Sequence, residues 1–407
     1  MKIKREDLET LDRADPLARF RAEFDLPKGV VYLDGNSLGA PPRRTRERMR
    51  RVVDDEWGGG LIGSWTGDTA WMELPRRLGD KIARLVGAAP GEVIACDSTT
   101  VNLYKALSMA LAVDPKRRVL LSDRGNFPTD LYVARGLVEQ HGGLHEVMLV
   151  DPAEEGIEEA LARRGGEVAV VFLTHVNFTT ARMYDMARVT AAAHHAGAVV
   201  VWDLSHSAGV VPIDLHGCDV DLAVGCGYKY LNGGPGAPAY LYVARRLQHL
   251  GQPISGWMGH ARPFDFSGSY EPAATVSRYM SGTPAVLSLA ALESSIDLAL
   301  EAPMDEVRRK SVALCDAFIA LVDAHCADAG LELVSPRDGR ARGSHVSYRH
   351  PRSAQAMQSL LAGGVIGDCR PPDLLRFGFA PLYLRYADVG EAVGRLAQAC
   401  RVPVRAE

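Results

Sequence analysis

Short apolar runs alternate with longer amphipathic stretches between about residues 90 and 245. Seven of the runs predict β-strands, at 92–96, 117–123, 144–151, 167–175, 198–206, 221–229 and 237–245. Helical spacing predicts helices that begin near residues 99, 131, 156 and 186. Strands that are apolar throughout are typical of a sheet covered on both faces. The pattern therefore predicts an α/β fold with a mostly parallel seven-stranded sheet between helical layers.

The remainder of the chain has a different pattern. Pro284 opens a long apolar helix, a second helix covers about 304–328, and short strands then alternate with two more helices. A chain of 407 residues is too long for one simple core. We therefore expect an N-terminal segment (1–60) that packs with the small domain, a large domain (61–285) and a small α+β domain (286–407).

Chemically useful side chains follow two of the predicted strands. Asp203 and His206 end one apolar run, and Tyr228 and Lys229 end the next. Because neighbouring side chains on a strand point to opposite faces, Tyr228 is expected to point away from Lys229. In open α/β sheets, ligands bind beyond the carboxyl ends of the strands. A carboxylate at one strand end and a lysine at another suit pyridoxal 5'-phosphate (PLP), since the lysine forms a Schiff base and the aspartate holds the pyridine nitrogen protonated. Such a lysine must be partly desolvated to lose its proton near neutral pH.

Two upstream turns fit the other parts of such a cofactor. Residues 97–102 (DSTTVN) join a strand to a helix, and a helix N-terminus with hydroxyl groups can bind a phosphate. Taken alone, a plain helix cap is the commoner role for such residues. Phe127, in the turn 125–130, can stack on a pyridine ring or fill the core.

Composition and charge exclude several classes of protein. The chain is 47% hydrophobic with a net charge of −4, which argues against a nucleic-acid-binding role. No apolar stretch reaches transmembrane length, and the charged N-terminus lacks the apolar core of a signal peptide. Seven scattered cysteines without a CxxC motif indicate neither a zinc site nor a disulfide framework. We expect a cytoplasmic protein without a metal site.

Nine sequence segments carry a family resemblance. They are YLDGNSLGAPP (32–42), GSWTGDTAW (63–71), STTVNLYKAL (98–107), RGNFPTD (124–130), WDLSHSAG (202–209), CGYKYLNGGPG (226–236), GWMGH (256–260), SGTP (281–284) and LLRFGFAPLY (374–383). Together they resemble the kynureninases, PLP enzymes of the aspartate aminotransferase fold (fold type I, class V aminotransferase-like). WDLSHSAG alone also fits cysteine desulfurases.

The resemblance implies hydrolysis of L-kynurenine, and less well of 3-hydroxykynurenine, to anthranilate or its 3-hydroxy form and L-alanine, in tryptophan degradation. It implies that Lys229 carries PLP and moves the α-proton, and that Tyr228 and Asp203 share in catalysis. The other implied cofactor contacts are Thr99 and Thr100 at the phosphate, Phe127 on the ring, Thr129, Asp130 and His206 nearby, Thr174 on the ring-hydroxyl side, and Trp257 and Thr283 from the neighbouring subunit of a homodimer.

The resemblance also implies a substrate site. Arg376 would take the α-carboxylate, Trp65 and Gly282 would contact the aryl ring, and Ser37 of the GNSLG segment would lie beside the substrate. Relatives that favour 3-hydroxykynurenine have more polar groups and a histidine in place of the tryptophan. An apolar Trp65 offers no partner for a 3-hydroxyl, so we expect a preference for unsubstituted kynurenine.

Other interpretations remain open for these residues. Arg376 could form a structural ion pair, His206 could be a core histidine, and Trp65 and Trp257 could be core aromatics. Another class V PLP enzyme, such as a cysteine desulfurase or an aminotransferase, is the nearest alternative function. A desulfurase needs a mobile nucleophilic cysteine, and Cys369 lies in a predicted loop. A non-catalytic PLP-binding regulator is a second alternative.

Overall fold

The computed structural model describes residues 4–401. Its strands are β1 (Val31–Tyr32), β2 (Val93–Ala95), β3 (Val119–Asp123), β4 (Glu146–Val150), β5 (Val168–Thr174), β6 (Val199–Asp203), β7 (Leu222–Cys226), β8 (Ala239–Val243), β9 (Glu332–Leu333), β10 (His345–Arg349), β11 (Val365–Ile366), β12 (Asp368–Arg370) and β13 (Leu374–Gly378). Its α-helices are α1 (Arg5–Arg13), α2 (Arg43–Arg51), α3 (Leu74–Leu85), α4 (Thr99–Val113), α5 (Pro128–Gln140), α6 (Ile157–Arg164), α7 (Met186–His195), α8 (Val286–Leu300), α9 (Met304–His325), α10 (Ser353–Ala362) and α11 (Tyr386–Arg401).

A seven-stranded sheet forms the centre of the molecule, in the order β2-β8-β7-β6-β5-β3-β4. Only β8 runs antiparallel, between β2 and β7, so the prediction of a mostly parallel seven-stranded sheet is confirmed. Every residue of β2, β3 and β5 to β8 is buried, because separate apolar clusters cover the two faces. This double covering explains why these strands are apolar throughout.

A smaller antiparallel sheet, β12-β13-β10-β9, shares a core with α9, α10 and α11. The N-terminal segment joins this part of the molecule, because β1 pairs in parallel with β11. A buried ion pair between Lys310 and Asp15 (2.6 Å) ties the same segment to α9. Helix α8 packs against α2 and α3 beside the large sheet. The domain boundaries given above stay a prediction.

Two of the predicted strands are too long. β6 ends at Asp203 and β7 ends at Cys226, so His206, Tyr228 and Lys229 lie in the turns beyond them. Residues 204–208 and 229–231 are as buried as the strands, and burial alone therefore does not mark where each strand ends. A π-helical stretch at Val52–Gly59 continues α2 and was not predicted. Between residues 4 and 401, no helix has both the length and the apolar character needed to cross a membrane.

Candidate active site

The amine of Lys229 is buried beyond the carboxyl ends of β6 and β7, in a cluster with Phe127, Asp130, Asp203 and His206 that we call the Lys229 pocket. Its Nζ is 3.0 Å from Nε2 of His206 and 5.6 Å from the ring centre of Phe127. Lys229 is only 9% exposed, which meets the requirement for a desolvated amine. Burial, together with the positive charge of Lys229, lowers the pKa of His206 well below its usual value. The lysine therefore faces a neutral imidazole at neutral pH.

Two carboxyl groups lie near this lysine. Oδ1 of Asp203 accepts hydrogen bonds from the backbone N–H (2.8 Å) and the hydroxyl (2.6 Å) of Ser205. Burial raises the pKa of Asp203, and the charge of Lys229 opposes that rise. Burial also raises the pKa of Asp130 well above its usual value, and the charge of Asp203 adds to the effect. Two like charges oppose each other's ionisation, and the stronger rise in pKa falls on Asp130, so we expect Asp130 to be the neutral member of the pair.

The turn after β3 forms one wall of the pocket. The Phe127 ring packs edge-on against Phe178, with 5.1 Å between ring centres. Thr174 is the register partner of Asp203, and its hydroxyl donates to Oδ1 of Asn126 and, at 3.4 Å, to Oδ2 of Asp130. Asp130 Oδ1 is buried and has no hydrogen-bond partner. Thr129 lies half-buried in the first turn of α5, next to this wall.

Thr99 and Thr100 form the first turn of α4, where Ser98 caps the helix by accepting a hydrogen bond from Val101 N (3.4 Å). Thr99 is half-buried and Thr100 is exposed, so both hydroxyls remain accessible to a ligand. The four N–H groups of such a first turn lack intrahelical partners and suit an anion.

Tyr228 requires a correction. Neighbouring side chains on a strand point to opposite faces, which would direct Tyr228 away from Lys229. The chain bends at 227–229 instead, and Lys229 Nζ lies 5.8 Å from the ring centre of Tyr228. Burial raises the pKa of the Tyr228 phenol, and the charge of Asp203 raises it further. The phenol therefore keeps its proton at neutral pH.

Arg376, on β13, is 2% exposed and already ion-paired. Its Nε (3.0 Å) and Nη2 donate to the two carboxylate oxygens of Asp368, its register partner on β12. Its Nη2 also donates to Ser37 Oγ (2.8 Å), and its Nη1 donates to the carbonyl of Phe178 (2.6 Å). Ser37 and Arg376 are thus brought together, and Phe178 links them to the Phe127 wall. The ion pair between Arg376 and Asp368 is the kind of contact that the alternative, structural interpretation of Arg376 predicts.

Trp65 lines a different space, an apolar groove of ≈ 650 Å³. We call this the aromatic groove; its walls are Trp57, Leu61, Ile62, Trp65, Trp71 and residues 284–288. The Trp65 and Trp71 rings meet edge-on at 5.6 Å. Gly282 and Thr283 are exposed and directly precede the groove-lining residues. Trp257 is 42% exposed and packs against Phe264 and Phe266, so it is not a core aromatic.

Several residues that shape the pocket were missed from the sequence. Ser205 holds Asp203, Asn126 holds Thr174, and Asp368 holds Arg376. His345, on β10, lies 5.5 Å from the His206 ring and has neither ring nitrogen hydrogen-bonded. If residues 368–376 (DCRPPDLLR) had been interpreted as a hairpin, Asp368 would have been paired with Arg376. No local sequence pattern predicts that His345 lies next to His206. In the part of the chain from residue 4 to residue 401, no group of His, Cys, Asp and Glu is arranged to hold a metal ion.

The comparisons with known proteins agree with one another. Residues 307–396 match the family described as the kynureninase C-terminal domain. Kynureninase from Burkholderia pseudomallei (strain K96243) is 50% identical over 398 residues, covering 96% of this chain and 94% of the relative. Kynureninase from Pseudomonas fluorescens is 47% identical over 399 residues, covering 97% of this chain and 95% of the relative.

Solved structures place the fold. A cysteine desulfurase from Thermococcus onnurineus NA1 superposes with a TM-score of 0.80 at 17% identity, covering 94% of this chain and 97% of that one. A cysteine desulfurase from Escherichia coli gives a TM-score of 0.78 at 20% identity, covering 94% and 98%. At these identities the likeness concerns the fold alone, which confirms the predicted fold class. The full-length identity to curated relatives decides the family: the chain belongs to the kynureninases.

Proposed function

We propose that this chain hydrolyses L-kynurenine to anthranilate and L-alanine with PLP as cofactor. The observation that carries the proposal is its 50% identity, over nearly the full chain, to a kynureninase. The buried pocket around Lys229 agrees with it, because a desolvated lysine beside a neutral imidazole suits attachment of an aldehyde.

The residues around the pocket fit the cofactor. Lys229 holds the aldehyde carbon of the cofactor, and Asp203 pairs with its pyridine nitrogen. The positive charge of the protonated nitrogen offsets the cost of burying the carboxylate. Phe127 stacks on the ring, while Thr174, Thr129, Asp130 and His206 surround its polar edge. The unpartnered oxygen of Asp130 and the unpartnered Nδ1 of His206 are buried polar atoms that call for a ligand or water. Thr99, Thr100 and Tyr228 bind the phosphate.

The bound cofactor supplies an electron sink for cleavage of the Cβ–Cγ bond of the substrate. Lys229 moves the α-proton, since its amine is the base at the attachment point. Water adds its hydroxyl to the γ-carbonyl carbon, which becomes the carboxyl group of anthranilate, and Cβ gains a proton to become the methyl group of alanine. Tyr228, whose raised pKa keeps it protonated, donates the proton needed at the γ-oxygen.

Arg376 and Ser37 receive the substrate α-carboxylate. Asp368, Ser37 and the Phe178 carbonyl together occupy four of the five N–H groups of the guanidinium, so the substrate carboxylate must displace at least one of these partners to form two hydrogen bonds. The planar fork of arginine binds a carboxylate with two parallel hydrogen bonds, which a lysine cannot do.

Trp65 and Gly282 contact the aryl ring of the substrate, and their apolar surroundings favour unsubstituted kynurenine. The aromatic groove supports this, because Trp65 and the residues that follow Thr283 share it. A 3-hydroxyl buried in such surroundings would lose its hydrogen bonds to water without replacement.

The site is shared between two subunits of a cytoplasmic homodimer that binds neither nucleic acid nor membrane. Trp257 and Thr283 of one subunit then reach the cofactor phosphate of the other. Their exposure, and that of Ile62 (82%) and Phe266 (77%), supports the dimer, because large apolar side chains exposed in clusters are typical of an interface.

The desulfurase alternative is weaker. Cys369 lies on β12, not in a loop, and its Sγ contacts Ser353 Oγ at 3.4 Å. A cysteine on a paired strand lacks the mobility that sulfur transfer requires. The kynureninase relatives at 50% identity also favour carbon–carbon cleavage over sulfur chemistry.

The test is release of anthranilate, followed by its fluorescence, when L-kynurenine is added to the purified protein supplied with PLP. We expect anthranilate and alanine in equal amounts, and a higher kcat/KM for kynurenine than for 3-hydroxykynurenine. Release of sulfide from cysteine without any anthranilate would contradict the proposal and indicate a cysteine desulfurase instead.

A further inference from the structure

A buried lysine outside the pocket has no role in the function proposed above. Lys105 lies in α4, two turns after the threonines at its start, and its side chain is 0% exposed. A lysine is seldom buried completely unless its charge is paired. Lys105 lies in the helix that begins at the proposed phosphate-binding turn, so the groups that pair with its charge also bear on that turn.

Lys105 has two polar partners, and they come from different parts of the chain. Its Nζ forms an ion pair with Asp97 Oδ2 (2.5 Å), in the turn that precedes Thr99 and Thr100. The same Nζ donates to the carbonyl of Tyr279 (2.6 Å), 174 residues further along the chain. One ammonium group thus joins the β2–α4 turn to the segment 276–283.

The β2–α4 turn needs such an anchor. Asp97 has a φ of +53°, in the left-handed region that costs free energy for residues other than glycine. Its carbonyl accepts a hydrogen bond from Ala239 N (2.9 Å), and its carboxylate is held by Lys105. These contacts fix the direction in which the first turn of α4 presents its N–H groups.

The segment 276–283 ends in Ser281, Gly282 and Thr283. It begins with a 3-10 turn, Val276–Tyr279, whose last residue is the one bound by Lys105. Gly256 packs directly against this segment, since a Cβ on Gly256 would lie 2.0 Å from the carbonyl oxygen of Ser281. The position of Trp257, the next residue, therefore depends on the same segment. Lys105 therefore holds the base of the segment that carries Thr283.

We propose that Lys105 is a positioning residue for the cofactor phosphate: it joins the turn that carries Thr99 and Thr100 to the segment that carries Thr283. The inference rests on the proposed PLP function and adds a residue to it. Lys105 does not touch the cofactor; its ammonium holds the turn whose Thr99 and Thr100 bind the phosphate of its own subunit and the base of the segment whose Thr283 reaches the phosphate of the partner.

The test compares PLP with pyridoxal, which lacks the phosphate, in titrations of the cofactor-free protein followed by absorbance. For Lys105→Met we expect PLP to bind at least about 10-fold more weakly, with pyridoxal affinity changed less than about twofold. Lys81→Met is the matched control, since Lys81 is also an ion-paired helix lysine but lies on α3, bonded to Glu293 and Asp297. An equal loss for both ligands, or no loss for PLP, overturns the proposal.

Asp97→Asn gives a second route if Lys105→Met does not fold. Asparagine tolerates the left-handed backbone but removes the charge that Lys105 holds. The ratio of PLP to pyridoxal affinity should fall in the same direction, and an unchanged ratio contradicts the proposal. These titrations use no substrate, so a failure to cleave kynurenine would count against the proposed function and leave this inference intact.

Discussion

The Lys229 pocket and the aromatic groove are built on opposite principles. Lys229 is 9% exposed among charged and polar groups, whereas Ile62 (82%) and Trp57 (55%) of the groove are open to solvent and apolar. The pocket leaves polar atoms unpartnered, among them Asp130 Oδ1 and His206 Nδ1. The groove leaves apolar surface uncovered. Both deficits call for a partner, but the first calls for a polar cofactor and the second for apolar groups.

This difference separates catalysis from selectivity. Changes in the pocket alter the charges on which the reaction depends, so they should affect turnover of every substrate. On the proposal that Trp65 contacts the aryl ring, changes in the groove should affect the ratio of kcat/KM values between substrates.

The largest expected effect is at Lys229. Lys229→Ala removes the amine that we propose holds the cofactor and moves the α-proton, so we expect kcat to fall by at least about 10³-fold. The cofactor absorbance band should be lost as well. Kinetics and absorbance spectra measure this, with Lys116→Ala, an exposed lysine, as the control. Wild-type turnover in Lys229→Ala would remove the pocket as the catalytic centre.

The next effect distinguishes the two carboxyl groups. Asp203→Asn removes the proposed negative partner of the pyridine nitrogen, so we expect kcat/KM to fall by about 10²-fold or more. Asp130→Asn replaces a group whose raised pKa keeps it neutral, so the loss should stay below about 10-fold. Steady-state kinetics on both variants tests the pair. Equal losses would show that both carboxylates are ionised in the working enzyme.

A smaller effect is expected in the groove. Trp65→His supplies a hydrogen-bonding partner for a 3-hydroxyl, and we expect the ratio of kcat/KM values to shift towards 3-hydroxykynurenine by roughly 10-fold, about 1.4 kcal/mol. Trp57→His, in the same groove, is the matched control and should leave the ratio unchanged. A shift in both variants would mean that general polarity, not Trp65, sets the preference.

The smallest effect concerns the stability of the cofactor-free protein. The pKa of Asp130 is higher in the folded state than in the unfolded state. Above about pH 4, the unfolded state therefore binds fewer protons than the folded state. Asp130 therefore contributes most to stability at low pH, and this contribution is lost as pH rises through its folded pKa. When Tm is measured at increasing pH from about 4, it should decline less steeply for Asp130→Asn than for the unmodified protein. Parallel Tm profiles would contradict the raised pKa.

Particular residues show how far the sequence could be interpreted. The apolar runs predicted the seven strands because six of them, all except the edge strand β4, are buried on both faces, which shows in the residues of each strand. Asp203 and Lys229 could be placed near each other because neighbouring parallel strands end at the same edge. The relation of Tyr228 to Lys229 was wrong, because the chain bends after Cys226 and strand alternation stops there.

The sequence by itself determined the large sheet, the position of the lysine and the family, since these depend on periodicity and on contiguous motifs. Only the tertiary structure decided that His345 lies against His206 and that Lys105 joins the turn at Asp97 to Tyr279. The physical reason is distance along the chain. A contact between residues more than a hundred positions apart depends on how whole elements pack, and no local pattern of hydrophobic and polar residues encodes it.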